Sequence, residues 1–108
     1  PLHGILHALF VFLDVCAIHA GVRARGLGTE HDMHDSAVRL CANVRRIRMA
    51  LDEFRGNARL TAFGSGFIRG IEIACDGFEP ILGQLPRDAV HDAEVSVARH
   101  AALQGRSA

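Results

Sequence analysis

Between Met33 and Phe54, apolar residues recur at Met33, Ala37, Leu40, Val44, Ile47, Leu51 and Phe54, stepping alternately by four and three. That step keeps side chains on one face of an α-helix; a strand would place alternate residues on opposite faces. A seam of about three heptads must be covered by other helices, so this segment commits the chain to a helical fold. The stretch before it is richer still. Leu2, Leu6, Leu9, Leu13, Cys16 and Ala20 make one seam, and Ile5, Ala8, Phe12, Val15, His19 and Val22 make a second. A helix apolar around most of its circumference needs cover on most sides, from its own domain or from a partner.

Glycine punctuates the pattern. Gly26, Gly56, Gly77 and Gly105 each follow a long periodic segment, where a helix favours a left-handed residue just past its end. Thr29 is an N-cap with Asp32 three positions on, a variant of the capping box. Asn57 is a second N-cap residue, and Pro86 suits the first turn of a last helix. These signals predict helices over 2–25, 30–55, 58–75 and 87–104, with turns short enough to make neighbours antiparallel. The expected fold is all-α, an antiparallel four-helix bundle forming a single domain over residues 1–108. Segment 58–75 has two readings. Ala58, Ala62, Gly66, Gly70 and Ala74 recur every four residues as a small-residue helical stripe. Alternatively, Leu60–Phe63 and Phe67–Ala74 pair as a β-hairpin about Gly64-Ser65-Gly66, since Ile71-Glu72-Ile73 alternates. The helix is preferred because the alternation is only local. The last helix offers a thin face of Val90, Ala93, Val97 and Ala101.

Apolar residues make up 49% of the 108 and charged residues 22%, enough for a core and not a disordered composition. Twelve Arg balance twelve Asp plus Glu, with no Lys, so the chain lacks the basic excess of a nucleic-acid binder. Three Cys without a close pair argue against a disulfide scaffold and for a cytoplasmic setting. Residues 2–20 approach the ~20-residue length of a membrane span. They carry His3, His7, Asp14 and His19, however, and Asp at a span centre costs roughly 2.5–3.5 kcal/mol. Arg23 and Arg25 follow the apolar run, where a signal peptide would have basic residues in front. A soluble core helix is expected there, in place of a membrane anchor.

Seven His form the unusual count. Bundle topology gathers His19, Glu30, His31, His34 and His91 at one end, and His3, His7 and His100 at the other. It also sets Cys16 beside position 39 and Cys75 beside position 38, within a turn of Cys41. Thiolate or imidazole layers of this kind suit Zn or Cu, although buried Cys more often acts as a small hydrophobe. A metal-binding bundle for storage, transport or sensing, using His19, His34 and His91 or the Cys layer, is therefore the alternative reading. No paired Glu-x-x-His for a di-iron site, Cys-x-x-Cys or nucleophile elbow occurs.

Two local resemblances exist. Arg87-Asp88-Ala89-Val90-His91 resembles the Arg-polar-…-His motif of HEPN ribonucleases, small helical bundles, which implies RNA cleavage by Arg87 and His91. Phe54-Arg55-Gly56 resembles the Trp-x-Gly corner of type VII secretion substrates, with Phe for Trp, which implies a turn between two long helices. The leading expectation is a non-enzymatic interaction or regulatory module without a cofactor or catalytic residues, forming a homo-oligomer or docking a protein partner. Val11, Phe12 and Val15, with Gly66 and Gly70, are the expected interface residues.

Overall fold

The computed structural model describes residues 2–57 and 62–107. It contains α1 (Leu2–Arg25), α2 (Glu30–Asn57), α3 (Ala62–Leu82) and α4 (Arg87–Ser107), with no strand among the described residues. The chain is an all-α four-helix bundle. The hairpin over 58–75 does not form: Phe67–Ala74 is helical, and Ala58 and Leu60 lie outside the described residues.

The first turn follows its local chemistry closely. Gly26 takes φ +62°, its amide donates to the Arg23 carbonyl at 3.2 Å, and Leu27 N donates to the Val22 carbonyl at 3.1 Å. That pair of bonds is a Schellman motif, satisfying two orphan carbonyls in the last turn of α1. Thr29 then caps α2. Its Oγ1 accepts from Asp32 N at 3.1 Å, and Asp32 Oδ2 accepts from Thr29 N at 2.8 Å. Pro86 precedes α4 and its carbonyl accepts from Val90 N at 3.1 Å.

The later boundaries depart from expectation. α2 runs through Gly56 to Asn57, so neither residue stops one helix or caps the next there, and Phe54-Arg55-Gly56 is not a corner. α3 passes Gly77 and even Pro80 to reach Leu82. Proline removes a helical N–H and crowds the preceding turn, but Phe78 before it and Ile81 and Leu82 after it pack against the main core. Burial gained by that last turn outweighs the local stop signals.

α2 is the central helix. On one side it meets α1 and α3, which also touch each other; on the other it meets α4, whose close backbone contacts among the described residues are with α2. The main cluster joins Leu9 and Cys16 of α1, Leu40, Val44, Ile47, Leu51 and Phe54 of α2, and Ile68, Ile71 and Cys75 of α3. A second, smaller cluster joins Ala37, Cys41 and Ala42 to Leu85, Ala89 and Ala93. The heptad seam read from sequence is thus the spine of the fold, and Leu40, Ile47 and Leu51 are each at most 1% exposed. Burying one such side chain stabilises by ~1.5–3 kcal/mol. The rims carry exposed ion pairs, among them Arg45–Glu94 at 3.1 Å and Arg48–Glu79 at 2.7 Å, each worth ~0–1 kcal/mol.

α1 is less covered than a core helix should be. The segment Leu6–Arg25 is long and apolar enough to cross a membrane by length and composition, and 11% of it is buried by the rest of the fold. Its core role rests on the seam through Leu9 and Cys16.

Candidate functional site

The turning of α1 decides which apolar residues remain outside. Leu9 and Cys16 are buried, with Leu6, Phe12, Leu13 and Ala20 packed against the same cluster. The opposite stripe, His7, Val11, Asp14 and Ile18, is exposed. Ile18 is 64% exposed and Val11 46%. This outward stripe has the same four-three step as the inner seams. α3 lies beside α1 in the same direction, joined by an edge-to-face contact of Phe10 and Phe67 with centroids 4.8 Å apart. Its buried face is Ile68, Ile71 and Cys75, which leaves Gly66, Gly70, Ile73, Ala74 and Gly77 outside. A methyl group built on Gly66 or Gly70 meets nothing within 4 Å.

These two stripes form one outer face. It is poor in charge because the acidic residues of α3 turn to α2: Asp76 and Glu79 pair with Arg48, and Glu72 pairs with Arg55 at 2.7 Å. Asp14 of α1 and Arg69 of α3 are its exposed charges. Of the expected interface residues, Val11, Gly66 and Gly70 stand exposed. Phe12 and Val15 do not: both are half-buried, and Phe12 packs against the main core. Sequence reasoning missed Ile18 and Ile73; the signal for Ile18 was its place seven residues from Val11.

The histidines are dispersed. His34 Nε2 lies 2.8 Å from Asp92 Oδ2, and Nδ1 lies 3.8 Å from Asp88 Oδ2, linking α2 to α4 beside a cavity of about 700 Å³. His19 faces Asp35 and Arg39 instead, and its buried Nδ1 has no partner. Burial first, then the Arg39 charge, holds its imidazole below the ordinary value, with Asp35 opposing. His91 is exposed on α4. Among the described residues no group of three or more His, Cys, Asp or Glu is placed to hold a metal ion.

The expected cysteine layer is divided. Cys75 lies near Arg48, further along α2 than position 38, and α3 extends past it to Leu82. Cys16 and Cys75 share the main core, whereas Cys41 belongs to the cluster on the α4 side. Arg87 and His91 are both exposed on the first turns of α4, and the cavity there is lined by Pro86 and Asp88 and by neither of them. Compared with protein-family models, curated proteins and solved structures, the chain matches none.

Proposed function

We propose that the protein is a non-enzymatic helical module that self-associates through the outer face of α1 and α3. The observation that carries this reading is the exposure of Val11, Ile18 and Ile73 on adjoining helices, with the acidic residues of α3 drawn away toward α2. Contiguous exposed apolar surface on a small domain marks a contact site. Its size suits the role: a 24-residue helix is ~36 Å long, and two side by side present a face of roughly 700 Å², close to the ~800 Å² per partner of a standard interface. The bare backbone at Gly66 and Gly70 favours close approach of a second helix. A second copy offers the same apolar face about a two-fold axis. A cytoplasmic setting agrees with three unpaired thiols.

Sedimentation equilibrium over a dilution series tests the proposal. The mass is expected to rise above 11.7 kDa with concentration, and Ile18→Glu or Ile73→Glu is expected to hold the chain monomeric with its helicity intact. A wild-type protein monomeric at every concentration overturns the reading. Flotation of such a monomer with phospholipid vesicles would assign the same face to a membrane surface instead.

A further inference from the structure

α1 and α4 both rest on α2, and among the described residues their backbones do not approach each other closely. Between them is a groove of about 300 Å³, with Met49 and Ala50 of α2 lying between Phe12 of α1 and Val97 and Ala101 of α4. It is separate from the α1/α3 outer face and owes nothing to the self-association proposed for that face.

Arg46 of α2 lines this groove and also the adjoining cavity of about 460 Å³, which Ser96, Arg99 and His100 of α4 share. α2 carries five arginines. Arg39, Arg45, Arg48 and Arg55 each pair with a carboxylate. Arg46 pairs with none among the described residues. One terminal nitrogen donates to Ser96 Oγ at 3.2 Å, the other makes only a 3.5 Å contact with Asn43 Oδ1, and the buried Nε–H has no acceptor. Buried donors are nearly always satisfied, and an orphan calls for an acceptor such as a water, an ion or a ligand. The nearby carboxylates do not supply it: Glu53 lines the groove without bonding Arg46, and Asp92 is engaged by His34.

We propose that this groove binds a small monocarboxylate with an unbranched apolar body, a fatty-acid-like anion. A guanidinium presents its N–H groups in a fork matched to a carboxylate. Arg99 and His100 add positive or donor character at that end. Phe12, Met49, Val97 and Ala101 offer apolar cover for the chain, and Glu53 disfavours a second negative charge on the ligand. Small-molecule sites share this construction, an apolar lining with few polar groups, and the groove lies at the lower end of their ~300–1,000 Å³ range.

Amide-resolved NMR titration with decanoate, and with decanol as the uncharged control, tests the proposal. Decanoate is expected to bind saturably at one site, shifting the amides of Met49, Ala50, Ser96 and Val97, and at least about tenfold more tightly than decanol, as a charge-assisted hydrogen bond requires. Arg46→Met is expected to reduce decanoate to the affinity of decanol. Val97→Trp fills the groove with Arg46 intact and is expected to abolish binding of both, which keeps the proposal testable if the Arg46 variant fails to fold. Equal affinity for decanoate and decanol in the wild type overturns it. So does the absence of saturable binding below the aggregation concentration of decanoate, or shifts confined to Val11, Ile18 and Ile73.

Discussion

Cys16 of α1 and Cys75 of α3 meet in the main core with no exposed surface, and the Cys75 thiol adds to the burial that pushes Cys16 up to about 12. Burial likewise raises Cys75, against the opposing Arg48 charge. Thiolates are the reactive form, so these groups behave as packing atoms. Cys41, 4% exposed, is equally enclosed on the α4 side. The native protein is expected to leave all three thiols unmodified by a disulfide reagent over the time in which urea-unfolded chain reacts completely. Rapid labelling of Cys16 or Cys75 under native conditions would show that the α1–α3 packing described here does not persist.

The turn between α1 and α2 gives a graded test. Gly28 has φ +89°, and a Cβ there would come within 2.7 Å of Asp32 Oδ2, the oxygen that accepts from Thr29 N. Gly28→Ala therefore combines left-handed strain with loss of a cap and is expected to cost ~2–3 kcal/mol. Gly26 has φ +62° and open space around it, so Gly26→Ala carries the conformational term alone, ~1 kcal/mol. Thr29→Ala removes one cap bond and should cost ~1 kcal/mol. Chemical denaturation of the three variants checks the order, and a Gly26 variant as damaged as the Gly28 variant would contradict the geometry at Asp32.

These local devices were legible because they are written in consecutive residues. Gly26, Thr29 and Asp32 define one turn without help from the rest of the chain, and the Met33–Phe54 seam names its own buried face. What escaped depends on distant partners. The end of α3 carries Gly77 and Pro80, both ordinary stops, and only the core contact of Phe78, Ile81 and Leu82 explains why the helix continues. Helix α1 is apolar nearly all round, so no periodicity tells which stripe α2 and α3 cover; Ile18 was hidden by that ambiguity. Arg46 differs from Arg45 in no local respect. One meets Glu94 and the other Ser96 because of where α4 lies.

His19 makes stability depend on pH with a definite sign. The half-buried ring, with its Nδ1 enclosed, resists protonation in the folded state, so the unfolded chain binds the extra proton. Its contribution is complete above the unfolded value of ~6.5 and is lost as pH falls through that value toward the lower folded one. The urea midpoint of the wild type is expected to drop between about pH 7.5 and about pH 5.5, and His19→Leu to flatten part of that drop. The comparison must be between the two proteins, since the remaining histidines are common to both. A variant with an unchanged pH slope would mean that His19 reaches solvent freely.

α4 should be the first element to leave. Among the described residues its close backbone contacts are with α2, and Ala89 and Ala93 are its buried residues in the smaller cluster, with Val90 and Val97 half-buried. Alanine methyls bring little apolar area, and the flanking pairs Arg45–Glu94 and His34–Asp92 are exposed and individually weak. α2, by contrast, is clamped by three helices. Sub-global opening follows such differences in buried contact, so the amides of Val90–Arg99 are expected to exchange with solvent through an opening cheaper than that of Leu40–Leu51. Ala93→Asp places a charge in the buried seam and should accelerate exchange across α4 while leaving the α1 and α3 amides protected. Equal acceleration in all four helices would instead make the bundle one cooperative unit, with α4 held by more than the Ala-rich face.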